Sequence, residues 1–243
     1  MEMVLNAVQA QKRLRQFATE QNREAALWFF KTGPGGYSQH DQFIGVKVPK
    51  TRLVSREYKD LPLSEIQKLL KSKIHEDRLL GLIILVNRMK KASIQDRKTI
   101  ADFYFKNLKY VNNWDLVDSS AEYILGPYLK EFLTPSQQLK FLKKLAVSKN
   151  LWERRVSILT TFHFIRQHEF ENTLYIAEIL LNDPHDLIHK AVGWMVREVA
   201  NRDLAQANDF LRGRYDQMPR TMLRYAIEKF PETRRKAYLL GKI

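Results

Sequence analysis

The sequence predicts an all-α protein, built as an α-solenoid of paired helices, on three observations. First, turn formers are scarce. Nine glycines and eight prolines among 243 residues make about 7% against a usual ~12%, too few for the tight turns of an all-β sandwich or barrel. Second, no window alternates apolar and polar residues at period two for long enough to make a strand. Third, the chain repeats. Five helical segments, DRLLGLIILVNRM, WDLVDSSAEYIL, WERRVSILTTF, LIHKAVGWMVREVA and MLRYAIEKF, carry a small residue in a comparable place. These are Gly81, Ser119, Ser157, Gly193 and Ala226, spaced by 38, 38, 36 and 33 residues. A period near that length made of helix pairs is the signature of a HEAT-like or armadillo (ARM-type) solenoid, where small residues let neighbouring helices approach closely. One curved domain over residues 1–243, with a concave surface, is the expected architecture.

The elements follow in order. The N-terminus, MEMVLNAVQAQKRLRQFATEQ, has an acid at position 2 and charges at helical spacing. It lacks the continuous apolar core of a secretory signal. The Gly-rich stretch Thr32-Gly33-Pro34-Gly35-Gly36-Tyr37 reads as a loop inside the first helical unit. It is not a phosphate loop, because the Gly-Lys-Ser/Thr ending is missing and no buried strand precedes it. Leu61-Pro62-Leu63-Ser64-Glu65 reads as a helix start with Ser64 as cap. Thr134-Pro135-Ser136 and Asp183-Pro184-His185-Asp186 read as two more, with proline in or just before the first turn. The longest strongly apolar run, Leu79 to Val86, is far short of the ~20 residues a bilayer needs.

Charge and composition narrow the function. Lys and Arg number 41 against 27 Asp and Glu, a formal net charge of +14 and a pI near 9.8. That excess suits a polyanionic partner, most often nucleic acid, or else a solvated basic surface. Hydrophobic content of 44% excludes a disordered basic tail. The absence of cysteine excludes a disulfide scaffold, a zinc finger and a thiol nucleophile. His185 and His189 stand at i, i+4, but neither HExxH nor a third ligand is evident, so no metal is expected. His163 shares a side with Val156 and Leu159 and reads as a core histidine. A soluble intracellular protein is expected.

Four constellations could carry chemistry. In LIHKAVGWMVREVA, Ile188, Val192, Met195, Val196 and Val199 form one apolar stripe. Trp194 points away from it, toward Lys190 and Arg197. Either the next repeat covers this tryptophan or it is an aromatic platform flanked by phosphate-binding cations. In WDLVDSS, Trp114 and Asp118 stand at i, i+4 on one face. Asp115 is nearer the helix start and better placed to cap it, leaving Asp118 either to pair with an arginine of the next repeat or to stabilise a developing cation and position water. In WERRVSILTTF, Arg155 is set among Trp152, Leu159 and Phe162, where its guanidinium must find a carboxylate or a phosphate. Arg154 lies nearer the solvated side. In PRTMLRYAIEKF, Met222, Leu223, Ala226, Ile227 and Phe230 make the core stripe. Arg220 and Arg224 lie on another face, and Arg234, Arg235 and Lys236 follow as a short basic cluster. These are phosphate-tracking patterns, or solvated faces.

Taken together, WDLVDS, the spacing of Trp152 to Arg155, KAVGWMVRE and the early stretch FFKTGPGGYSQHDQFIGVKVPKTR resemble the AlkD-like family of HEAT-repeat DNA alkylation-repair glycosylases. The resemblance runs from about residue 20 to the C-terminus. It implies a C-shaped solenoid whose basic concave face holds double-stranded DNA. It implies hydrolysis of the N-glycosidic bond of positively charged alkylated purines, 3-methyladenine and 7-methylguanine, without a conventional base-flipping pocket, a lyase step or a cofactor. The catalytic aspartate of the family matches Asp118, its two lesion-site tryptophans match Trp114 and Trp194, and its arginine matches Arg155. Arg154, Lys190, Arg197, Arg220 and Arg224 are the expected DNA contacts. Some members have a second aromatic where Asn113 precedes Trp114, a departure that changes the polarity beside the site. Trp28 or Phe29 would supply the aromatic of the first repeat. The expected protein is a monomer of the bacterial cytoplasm or nucleoid, with no membrane partner. The alternative from another class is a catalytically silent DNA- or RNA-binding solenoid; a protein-binding adaptor is a third, and +14 speaks against an acidic groove in it.

Overall fold

The structure, a computed structural model, describes residues 5–243; the acid at position 2 lies outside them. Among the described residues the chain is helix after helix, and the single bridge Gln42↔Ile74 is the extended pairing it contains. No described helix is long and apolar enough to cross a membrane. The contacts divide the chain into two compact units, one ending at Ser120 and the other spanning Ala121–Ile243.

The first unit holds α1 (Ala7–Arg15), α2 (Glu20–Phe29), α3 (Val48–Glu57), α4 (Leu63–Leu70), α5 (His75–Met89), α6 (Ile94–Lys106) and α7 (Trp114–Asp118), with a 3-10 turn at Leu108–Tyr110. Helix α5 is its centre, packed by α3 and α4, and its apolar run is buried on every side. Gly81 is the close approach to α4: a Cβ there would lie 3.2–3.5 Å from Leu70, Leu69 and Ile66. Helix α1 is closed by a capping box of Asn6 and Gln9, and Ser93 caps α6. Ser64 does not cap α4. Pro62 is the extended residue that precedes the helix, which leaves Ser64 inside the first turn with no cap to make.

The second unit holds α8 (Ala121–Phe132), α9 (Pro135–Ala146), α10 (Leu151–Thr160), α11 (Phe162–Ile165), α12 (Glu171–Ile179), α13 (Asp186–Ala200), α14 (Leu204–Arg212), α15 (Arg220–Ala226) and α16 (Glu232–Leu240). Thr134 caps α9 with a capping box and Pro135 at its first position, as its sequence predicts. The α13 stripe of Ile188, Val192, Met195, Val196 and Val199 is fully buried. Gly193 sits where α15 crosses: a Cβ would come within 2.5 Å of the Met222 carbonyl and the Tyr225 Cβ. Ser157 is buried on α9, its hydroxyl donating to the Leu142 carbonyl at 2.8 Å. Gly81, Ser157 and Gly193 of the repeat thus mark helix contacts.

Two predicted helices are broken, for the same reason. WDLVDSSAEYIL ends α7 at Asp118 and restarts as α8 at Ala121. The hydroxyl of Ser119 donates to the Asp115 carbonyl at 2.6 Å and that of Ser120 to the Leu116 carbonyl at 2.5 Å. In WERRVSILTTF, Thr160 and Thr161 bond Val156 and Ile158 in the same way, and α10 gives way to α11. Paired hydroxyls compete with the main chain for the carbonyls of the preceding turn.

A second repeat signature becomes visible in three dimensions. Ser72-Lys73-Ile74-His75-Glu76-Asp77-Arg78 and Ser148-Lys149-Asn150-Leu151-Trp152-Glu153-Arg154 stand two periods apart, one in each unit. Arg78 donates to the carbonyls of Ser72 and Lys73 and pairs with Asp41 at 2.5 Å. Arg154 donates to those of Ser148 and Lys149 and pairs with Asp183 at 2.5 Å. Each guanidinium ties the turn before a long helix to a buried carboxylate.

Candidate functional site

The site of the first unit is built on α7, a helix of five residues that carries Trp114 at its start and Asp118 at its end. At i, i+4 the two lie on one face, and both are half-buried. The cap of α7 is Asn113 and not Asp115. Its side-chain oxygen accepts from the Trp114 N–H at 2.8 Å, and its amide nitrogen donates to Ser38 at 2.6 Å and Asp41 at 2.8 Å. Asn113 is fully buried, so the polarity it brings goes into holding the helix.

Asp115 instead serves a buried charge cluster. One carboxylate oxygen accepts from the Leu116 N–H, and the other accepts from His75 Nε2 at 2.7 Å. The second nitrogen of His75 donates to Asp41 at 3.3 Å. Burial pushes the His75 pKa down, but the charge and hydrogen bond of Asp115 and the hydrogen bond of Asp41 outweigh it and raise the pKa to about 9. Burial pushes Asp41 up, and His75, Arg78 and Asn113 together hold it below the usual carboxylate range. Two carboxylates therefore face one imidazolium and one guanidinium, a neutral set that fastens the start of α7 to the start of α5.

Trp114 is locked as well. Its Nε1 donates to the Tyr37 hydroxyl at 3.0 Å. Its ring stacks on Phe30, with centroids 5.4 Å apart, and meets the edge of Phe29 at 5.7 Å. Phe30 stacks on Phe43 at 4.8 Å, and Phe43 on His75 at 4.6 Å, so the imidazolium packs against aromatic faces. The loop at residues 32–37 makes this possible. Gly36 folds back on Lys31 so tightly that a Cβ would fall 1.7 Å from the Lys31 carbonyl oxygen. Of the two first-repeat aromatics expected, Phe29 reaches Trp114, while Trp28 is 83% exposed.

The sequence reading missed Phe30, Tyr37, Asp41 and His75. The signal was present in HEDR: four polar residues open the helix that carries the longest strongly apolar run of the sequence, and all four are buried. Buried charges require partners: those of His75, Glu76 and Arg78 come largely from the 37–46 segment and α7, and those of Asp77 from Gln11 and Arg15 of α1 and from Ser72.

The second unit holds the remaining candidates. Trp194 is half-buried; its Nε1 donates to Glu198 at 3.2 Å and its ring meets Phe162 edge-on at 5.7 Å. Arg166 lies over the Phe162 ring at 4.4 Å. Lys190 pairs with Asp186 at 2.9 Å, and Arg197 pairs with Glu228. The cations flanking Trp194 are thus paired with carboxylates. Arg155 is 5% exposed and donates to the Leu187 carbonyl at 2.6 Å. Asp183 and two carbonyls take up the donors of Arg154, which ties the turn before α10 to that carboxylate. Arg220 and Arg224 are exposed, and Arg220 donates to the Leu239 carbonyl at 3.1 Å. His185 accepts from the Leu187 N–H as the cap of α13, and His189 bonds the Asp183 carbonyl. His163 is half-buried, bonds Gln167 and packs against Gly126; burial pushes its pKa down. Among the described residues no group of three or more His, Cys, Asp or Glu side chains could hold a metal ion.

Residues 10–230 match the family of DNA alkylation repair enzymes. The chain belongs to that family. This member of the DNA alkylation repair family is also similar in structure to a predicted DNA alkylation repair enzyme from Enterococcus faecalis, with a TM-score of 0.66 at 13% identity over 88% of this chain and 97% of the other. That likeness shows a shared helical fold. No curated protein sequence matches the chain. Family membership makes the chain an enzyme of DNA repair, and DNA its substrate.

Proposed function

We propose that the protein is an AlkD-like, HEAT-repeat DNA N-glycosylase that removes cationic alkylated purines, 3-methyladenine and 7-methylguanine, from duplex DNA. The observation that carries the reading is the α7 pair: a carboxylate, Asp118, one turn from a tryptophan fixed by Tyr37, Phe29 and Phe30. A purine alkylated at N3 or N7 is a good leaving group, because the electrons of the breaking C1′–N bond neutralise its positive charge. The sugar left behind has oxocarbenium character. Asp118 stabilises that cation and orients a water; the water adds to C1′ and its proton passes to solvent. Trp114 contributes a cation–π contact to the charged lesion or sugar, worth ~0.5–2 kcal/mol.

On the second unit we assign Trp194 an aromatic contact with the DNA strand, Arg220 and Arg224 contacts with phosphates, and Arg155 the positioning of the start of α13 through Leu187. Lys190 and Arg197 would exchange Asp186 and Glu228 for phosphates. The action we propose is monofunctional, by a monomer in the cytoplasm.

The test is a duplex carrying one 7-methylguanine, treated with alkali after incubation so that abasic sites become strand breaks, with 3-methyladenine release measured in parallel. Wild type yields breaks, and Asp118→Asn yields none while its duplex affinity stays within a few-fold. Salt-sensitive binding with no release of either base by wild type would instead make the protein a silent DNA-binding member. Breaks with both proteins would remove Asp118 from its role.

A further inference from the structure

Away from α7, the first unit contains a groove of about 750 Å³ between α3, the C-terminal end of α5 and the start of α6. Its rim is cationic. Arg52 and Arg56 come from α3, Lys59 from the following turn, and Arg88, Lys90 and Lys91 from the end of α5 and the residues after it. Two carboxylates, Asp60 and Asp96, face these six cations. Asp60 stands 4.0 Å from Lys59, and Asp96 accepts from the Ser93 hydroxyl at the α6 cap. The floor is apolar, made by Leu63, Ile83 and Ile100, of which the last two are buried.

The groove gathers more cations than its carboxylates can match. Several cations elsewhere in the unit meet carboxylates, Arg13 with Glu57, Arg23 with Glu20 and Lys98 with Asp102. Among the described residues no carboxylate pairs with Arg52, Arg56 or Lys91. Arg52 and Arg56 stand at i, i+4 on α3, a spacing at which like charges repel. Arg88 cannot swing away to relieve the crowding, because it donates to the Lys59 carbonyl at 2.7 Å and the Leu61 carbonyl at 2.5 Å and fixes the rim. A polyanion would offset this repulsion, and guanidinium groups suit phosphate oxygens. The volume exceeds what a lone phosphate fills and falls in the ~300–1,000 Å³ range of small-ligand sites. The groove lies about 20 Å along α5 from His75, at 1.5 Å per residue, and so apart from the α7 site.

We propose that this groove is a second ligand site, for a phosphate ester of nucleotide size. The phosphates sit on Arg52, Arg56 and Lys91, and the sugar and base edge lie over Ile83 and Ile100. The ester is supplied by a free nucleotide or by a strand of DNA.

The test uses ADP as probe, by calorimetry, on the whole protein and on an Arg52→Gln, Arg56→Gln, Lys91→Gln variant. The three side chains are exposed, so the variant's melting temperature should match wild type. ADP affinity falls about tenfold or more in the variant, and adenosine, lacking phosphates, does not bind wild type. An undamaged duplex that displaces ADP identifies a DNA strand as the source; a duplex that binds without displacing it identifies a free nucleotide. Equal ADP affinity in both proteins, or no ADP binding by wild type, would overturn the site. Where a free nucleotide is the source, the variant retains single-turnover excision of 7-methylguanine. Excision absent from wild type alongside intact ADP binding would sink the glycosylase reading and leave this one standing.

Discussion

The His75 clamp should make the protein lose stability in mildly alkaline solution. His75 titrates near 6.5 when unfolded and near 9 when folded, because Asp115 and Asp41 favour its charged form. A raised pKa means stability that is complete below pH 6.5 and lost as pH rises through 9. The full difference of 2.5 pH units corresponds to about 3 kcal/mol, of which about 2 kcal/mol is lost between pH 7 and pH 9.5. The buried Tyr104, whose pKa burial raises, does not enter until more alkaline solution. The assay is urea unfolding at pH 7.0, 8.0, 9.0 and 9.5 on wild type and His75→Gln. Wild type should lose about 2 kcal/mol across that window. The variant should start lower, since Asp115 and Asp41 lose their imidazolium, and then stay level. NMR of the imidazole ring in wild type gives the midpoint directly should the variant not fold. Parallel curves for the two proteins, or a ring midpoint below 7, would refute the reasoning.

The other predictions concern the remaining arginines and the helix contacts. Arg154→Ala leaves Asp183 buried without its guanidinium and should cost about 3–5 kcal/mol in urea unfolding, while DNA affinity per folded molecule stays unchanged. A drop in affinity at equal stability would make Arg154 a DNA contact. Gly193→Ala drives a methyl into the Met222 carbonyl and the Tyr225 side chain; it should lower stability by about 1–3 kcal/mol, read from the urea midpoint. Arg220→Ala with Arg224→Ala should weaken all duplexes alike and reduce the slope of log affinity against log salt by about 2. An unchanged slope would place α15 off the DNA.

The helical repeat was legible because it rests on local chemistry. Small residues at Gly81, Ser157 and Gly193 stand at nearly whole multiples of one period, and each makes the close contact that the period implies. Caps were legible where side chain and proline agree, at Thr134, and misread where proline displaced the cap, at Ser64. Trp114 and Asp118 share a helix, so spacing alone put them on one face. Their support was not legible. Tyr37 and Asp41 stand more than 70 residues from α7, and no local pattern says that a loop 77 residues upstream will hold an indole N–H. Arg154 and Arg155 show the complementary limit. Sequence gives the charge of an arginine but not whether a carbonyl or a carboxylate has already claimed its donors.

The placement of the clamp suits the chemistry proposed for α7. Asp115 and Asp118 stand at i, i+3, adjacent on a helix of five residues. Two uncompensated carboxylates there would repel, and would disturb the one whose charge must face a developing oxocarbenium ion. His75 removes that conflict by balancing Asp115 from the buried side, and Arg78 balances Asp41 behind it. The same ion pairs anchor the start of α7, while Asn113 caps it and Tyr37 fixes the tryptophan. The mechanism proposed, without a base-flipping pocket, calls for groups held in place beforehand, so that charges already aimed at the developing cation need no rearrangement during the reaction. On this argument His75→Gln and Asp115→Asn should slow single-turnover excision more than they weaken duplex binding, since both act through the bearing of α7.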